Sequence, residues 1–123
     1  MQDFKKLVVW HKSHNLVLDV YAKTASFPKA EMFGITAQVR RASVSIAANI
    51  AEGSSTGSDK EFARFLRVSA ASASEVEYFS ILVVDLGLLD VRAADRWGRD
   101  VSEIRRMIFG LLGTFSKPKS HPP

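Results

Sequence analysis

The sequence predicts an all-α chain folded as an antiparallel up-down-up-down four-helix bundle, on three observations. Apolar residues recur at spacings of three and four in four separate stretches, period-two alternation is scarce, and the breaks between stretches are short and rich in Gly, Ser or Pro. Short connections favour antiparallel neighbours. With 123 residues the chain suits one compact domain, expected over residues 1–116.

The first helix is expected from about Trp10 to Thr24, with Trp10, Ser13, Val17, Val20 and Thr24 along one side and Leu16 and Tyr21 widening it. It stops before "SFPKAEMFG", because Pro28 disfavours helical geometry at Phe27 and can itself open a new turn. The second helix runs from about Phe33 to Ala51 or slightly beyond and ends in the Gly/Ser loop "EGSSTGS". The third begins at "SDKEF", where Ser58 as N-cap and Glu61 three residues on form a capping-box signature, and extends to Leu86 before Gly87 breaks it. The fourth begins near Asp90 and carries Trp97, Val101, Ile104, Ile108, Leu111 and Phe115 as a bundle seam. The tail "KPKSHPP", residues 117–123, has no apolar residue and is expected to be disordered.

Composition limits the function classes. Hydrophobic residues at 46% and charged residues at 24% fit a folded globular chain rather than a disordered one. The absence of cysteine excludes disulfides and thiolate metal sites, and no basic, apolar leader pattern opens the chain, so a cytoplasmic location is expected. The longest apolar run, Ile81 to Leu89, is broken by Asp85 and Gly87 and is too short to span a membrane. No membrane partner is expected. The formal net charge of +4 is compatible with a polyanionic partner, and the distribution of cations must decide.

The second helix has an unusual surface. At 100° per residue Ile35, Val39, Ala42, Ile46 and Ile50 form a main apolar seam, and Ala37, Val44, Ala48 and Ala51 form a second. Gln38, Arg41, Ser45, Asn49 and Glu52 form a polar stripe between them. The stripe reads either as a hydrogen-bonded internal network, with Arg41 joined to Glu52 or Asn49 with help from another helix, or as the lining of a subunit interface or central opening. The small second seam admits a close neighbour, either the third helix through Ser69, Ala70 and Ser72 or a second copy of the chain. Glu77 lies nearer the core seam of the third helix and is expected to meet Arg41 or another bundle arginine.

Cations sort by face. Arg40 lies with Thr36, Ser43 and Ala47 away from the main seam, while Lys60, Arg64 and Arg67 stand at i, i+4 and i+7 on the third helix. That spacing can follow a phosphate backbone, and it also describes an ordinary solvated face. The Gly/Ser loop aims N–H groups at the start of the third helix, an anion contact that Asp59 and Glu61 weaken.

The stretches "LVVWHKSHNLVLDVY", "FPKAEMFGITAQVRRASVSIAANIAEGS", "DKEFARFLRVSAASASEVEYF" and "LLGTF" follow one another over about Phe4 to Phe115. In order and spacing they resemble the bacterial four-helix-bundle family first noticed as proteins encoded in intervening sequences of 23S ribosomal RNA genes. The segment "QVRRASVSIAANIAEG" followed by "EFARFL" looks like its signature. The resemblance implies a compact antiparallel bundle assembling into a ring-shaped pentamer. A related branch, the accessory protein of diversity-generating retroelements, binds nucleic acid and a reverse transcriptase through a basic surface. By this resemblance Gln38, Arg40, Arg41, Ser45, Asn49, Glu52, Phe62, Phe65, Glu75 and Glu77 are characteristic positions. Ala47 stands where the family often has proline, Ala71 where glycine is common, and Gly57 where a basic residue is frequent. The first two favour regular helices, and the third weakens an anion-binding loop.

Metal-ligand and nucleotide-binding patterns are missing from the sequence. There is no phosphate-binding GxxxxGK[ST], HExxH or Glu-x-x-His pair, and Glu75 and Glu77, two apart, point to different sides of a helix. His11 and His14 could share a face but have no carboxylate at metal-ligand spacing. The expectation is therefore a non-enzyme with no catalytic residues, metal or cofactor. It should be a homo-oligomer that contacts RNA or DNA phosphates through Arg40, Arg41, Lys60, Arg64 and Arg67, or a scaffold for a partner protein without nucleic acid.

Overall fold

The computed structural model describes residues 2–116. Four helices, α1 (Val8–Thr24), α2 (Ile35–Ser54), α3 (Asp59–Asp85) and α4 (Val91–Ser116), are preceded by a 3-10 turn at Phe4–Lys6, and a second such turn at Lys29–Glu31 links α1 to α2. The described residues contain no strand. Each helix packs on the next, α4 closes back on α1, and all four share one core. Contacts run antiparallel on every edge. Ser45 meets Ser72 while Ile46 meets Ser69, and Lys12 meets Glu103 while Asp19 meets Trp97. The all-α four-helix bundle is as predicted. The expected tail, residues 117–123, lies outside the described residues.

Leu16 and Val20 of α1, Val39, Ile46 and Ile50 of α2, Leu66, Val76 and Val83 of α3, and Trp97, Val101, Ile104 and Ile108 of α4 are fully buried together. Each such side chain contributes roughly 1.5–3 kcal/mol of transfer free energy. The seams read from the spacing of α2 and α4 thus form the core, with Leu111 and Phe115 packed at its edge. On α1 the register differs slightly, for Val9 is buried whereas Trp10 is half-buried and Tyr21 exposed. The helix also starts earlier, led in by the Phe4–Lys6 turn, against which Trp10 sets its ring 4.9 Å from Phe4.

The helix ends follow local chemistry. Ser58 Oγ accepts the Glu61 N–H at 3.3 Å, but the Glu61 carboxylate takes Arg64 instead of returning to Ser58, so half of the capping box forms. Asp90 Oδ1 accepts the Ala93 N–H at 2.8 Å and starts α4. At the end of α3, Gly87 adopts φ 71°, its N–H reaches Val84 O, and the Leu88 N–H reaches Val83 O. This pair of reversed bonds satisfies the last carbonyls and needs the left-handed conformation that glycine adopts without strain. The second helix opens two residues later than predicted, because Met32 and Phe33 complete the preceding turn and Gly34 caps Ile35. Phe33 is left 92% exposed.

Small residues let α2 and α3 approach. Ser69 Oγ of α3 donates to the Ile46 carbonyl of α2 at 2.8 Å. A β-carbon on Gly53 would lie 2.7 Å from Phe65 Cβ and 3.0 Å from Phe62 Cδ1, closer than real carbons pack. The glycine of "AEG" is therefore a packing residue, and the phenylalanines of "EFARF" are what it packs on.

Candidate nucleic-acid interface

The flanks of α2 decide which of its polar residues are available. Thr36, Ser43, Ala47 and Ser54 are buried on the side facing α1, where Arg40 Nε donates to Thr24 Oγ1 at 2.8 Å and the guanidinium lies 4.5 Å above the Tyr21 ring. The face placed away from the main seam is thus the α1 contact. Arg40 is half-buried and already engaged by α1 through Thr24 and Tyr21. The second seam instead turns outward, with Val44 and Ala48 exposed and Ala37 and Ala51 half-buried, so α3 does not cover it. Helix α2 has its two neighbours on adjacent flanks, and this stripe lies opposite both.

The polar stripe divides. Ser45 and Asn49 face α3: the Ser45 and Ser72 hydroxyls share a hydrogen bond of 2.8 Å, and Asn49 Nδ2 donates to the Ser45 carbonyl and hydroxyl. Gln38, Arg41 and Glu52 are exposed, and their side chains make no hydrogen bond or ion pair among the described residues. The expected link from Arg41 to Glu52 or Asn49 is absent for a geometric reason. Eleven residues of helix separate Arg41 from Glu52 by roughly 16 Å, beyond side-chain reach. Glu77 meets an arginine as expected, but the partner is Arg105 of α4 at 3.1 Å, since its flank of α3 faces α4 and not α2.

On α3, Lys60, Arg64 and Arg67 are exposed, as their common face requires. Arg64 is held by Glu61 through Nε at 3.1 Å and Nη2 at 3.0 Å and lies 4.5 Å over the Phe65 ring. Lys60 and Arg67 have no ion-pair partner among the described residues and border a groove floored by Ala63, Leu112 and Phe115. Arg67 also shares a second groove with Arg105 and Phe109, so the cationic surface runs from α3 onto α4. Gly57, in the loop before α3, has φ 75°, a left-handed conformation that glycine adopts without strain.

A family model for the 23S rRNA-intervening sequence protein matches residues 5–110. The chain belongs to that family. No curated protein matches it. Among solved structures, a crystal structure of a protein of unknown function from the S23 ribosomal protein family of Bacteroides thetaiotaomicron is similar. It has a TM-score of 0.76 and 23% identity, over 85% of this chain and 98% of that one. That likeness establishes the shared bundle fold.

In this family member the α1–α4 edge carries a polar layer that sequence spacing could not reveal. Trp97, with no exposed surface, donates its indole N–H to Asp19 Oδ2 at 2.8 Å, and Asp19 Oδ1 receives Lys23 at 3.2 Å. Lys12 pairs with Glu103 at 3.1 Å. Burial pushes the Asp100 carboxyl above its ordinary range; Lys12 and Arg96 oppose this, and Asp19 and Glu103 add to it. His11 and His14 serve local packing. His14 stacks on Trp10 with ring centroids 5.0 Å apart, and His11 Nε2 lies 2.6 Å from the Lys5 carbonyl, which can only accept, so that nitrogen carries the proton. No group of three or more metal-ligating side chains converges among the described residues, and no described helix is long and apolar enough to cross a membrane.

Four exposed arginines of α4, Arg92, Arg96, Arg99 and Arg106, escape a search for short cationic runs because Asp95, Asp100 and Glu103 are interleaved with them. The helical wheel applied to α4 would have shown them on one face.

Proposed function

We propose that this family member is a non-enzymatic, cytoplasmic, oligomeric bundle that holds RNA or DNA by its phosphates through a basic surface. The observation that carries the reading is the set of cations without internal partners. Arg41, Lys60 and Arg67 are exposed and unpaired among the described residues of a chain whose net charge is +4. Arg64 stands beside them with its charge partly met by Glu61, and Arg40 acts more through α1 than outward. The non-enzymatic reading is supported by the buried hydroxyls of Ser13, Thr24 and Ser69, which donate to backbone carbonyls, and by Ser72, whose hydroxyl bonds that of Ser45, none of them to a base.

Assembly is supported by apolar surface on one end of the bundle. Phe33 is 92% exposed, with Met32, Tyr21 and Val44 beside it around a shallow groove. A monomer gains nothing by presenting such a patch to water. The pentamer implied by family resemblance would cover it with another copy.

The test is a fluorescence-anisotropy titration of labelled structured RNA and duplex DNA across a salt series, with oligomeric mass measured in the same buffer. Binding that weakens steeply with salt on an intact oligomer is expected. No binding at low salt refutes the phosphate reading. The same Phe33 patch favours a second reading, a scaffold for a partner protein, whose complex would be nearly indifferent to salt.

A further inference from the structure

We infer that the main phosphate-contacting element of this protein is the outer face of α4, and that its ligand is a double-helical nucleic acid whose phosphates are gripped by Arg92, Arg96, Arg99 and Arg106. The inference rests on the phosphate-binding reading above and moves its centre from α3 to α4.

At 100° per residue the four arginines fall within about 80°, directly opposite the Trp97–Val101–Ile104–Ile108 core seam. All four are exposed, and none of their guanidinium groups makes an ion pair or hydrogen bond among the described residues. Glu103 is the carboxylate that shares their face, and it is drawn toward α1 by Lys12 at 3.1 Å. Asp95 borders the stripe on the α3 side, and Asp100 on the other side is half-buried toward α1. Asp95 with Arg99, Arg96 with Asp100 and Arg99 with Glu103 are opposite charges at i and i+4, yet none of these pairs closes to an ion pair among the described residues.

Residue type points the same way. Helix α4 has five arginines and no lysine, whereas α1 has two lysines and no arginine. Solubility alone has no need of that segregation, while the planar guanidinium suits phosphate oxygens in pairs.

The geometry selects a duplex. From Arg92 to Arg106 the stripe is straight and about 21 Å long, the axial rise of roughly six base pairs of a B-form helix, over which phosphates of both strands come within its reach. No aromatic residue lies within it to stack splayed bases, as a single-strand site would require. Arg105 and Arg67, which share a groove beside it, extend the cationic surface toward the weaker α3 stripe.

The experiment compares three proteins by anisotropy against a blunt RNA duplex and a B-DNA duplex of equal length at several salt concentrations. They are the wild type, the variant Arg92→Gln/Arg96→Gln/Arg99→Gln/Arg106→Gln, and the variant Lys60→Gln/Arg67→Gln. Circular dichroism and oligomeric mass verify that each is folded and assembled. Four phosphate contacts per protomer give a log–log salt slope of about −3.6 on B-DNA, hence about 150-fold weaker binding at 200 mM than at 50 mM salt. The α4 variant should lose most of that slope, and the α3 variant less than half of it. Unchanged slope and affinity in a folded α4 variant, with the loss falling on the α3 variant, would overturn the α4 assignment and leave phosphate binding in place. No wild-type binding to either duplex at low salt would instead overturn the phosphate reading itself. Loss confined to the RNA duplex or to the DNA duplex would support the assignment and name the ligand.

Discussion

Replacing Gly53 by alanine sets two well-known effects against each other at one atom. Alanine is the better helix former by up to about 1 kcal/mol, less so near the end of α2, where Gly53 lies. Against this, the new methyl would stand 2.7 Å from Phe65 Cβ and 3.0 Å from Phe62 Cδ1. Carbon atoms pack at about 3.5–4.0 Å, so α2 and α3 must part by roughly 1 Å over the last turn of α2. Phe65 cannot rotate out of the way, because its Cβ is fixed to the backbone. Overpacking of this kind costs about 1–3 kcal/mol, and the net expectation for Gly53→Ala is a loss of about 1–2 kcal/mol. Gly110, within α4, meets nothing within 4 Å of a built β-carbon, so Gly110→Ala should gain about 0.5–1 kcal/mol. The same chemical change should therefore have opposite signs at two helical positions. Urea denaturation followed by far-UV ellipticity, at one protein concentration because association contributes to apparent stability, reads both variants. A Gly53→Ala protein as stable as the wild type would refute the close approach of the two helices.

Two further outcomes follow from the α1–α4 edge. Asp19→Ala leaves the buried indole N–H of Trp97 without an acceptor and should cost about 1–3 kcal/mol in the same assay, while Asp19→Asn, which keeps an acceptor oxygen, should lose less; equal losses would show that the hydrogen bond is unimportant. Asp100 has a folded-state pKa above its unfolded value, so its ionised form subtracts stability above that folded pKa, and the penalty fades as pH falls through it toward the ordinary aspartate range. Asp100→Asn should accordingly stabilise the protein near neutral pH, with the advantage shrinking on acidification; a denaturation midpoint difference that grows toward low pH would contradict the burial of this group.

Helix existence, the core seams and the caps were determined by the sequence because each is local. Val39, Ile46 and Ile50, or Trp97, Val101 and Ile104, recur at helical spacing and can be buried together on only one face. Ser58, Gly87 and Asp90 act on backbone groups within a few residues of themselves. The exposure of Lys60, Arg64 and Arg67 was equally legible, being the solvent side of a periodic pattern. What only the tertiary structure decided is which neighbour each flank meets. Arg40 turned to Thr24 and Tyr21, Glu77 found Arg105 rather than Arg41, and Trp97 reached an aspartate 78 positions away. A helical wheel gives the angle between two faces but not the side on which another helix stands. That depends on the handedness and order in which four helices close into one ring of contacts, and so the pairing of charges, and with it the set left free for a ligand, is a property of the packed bundle.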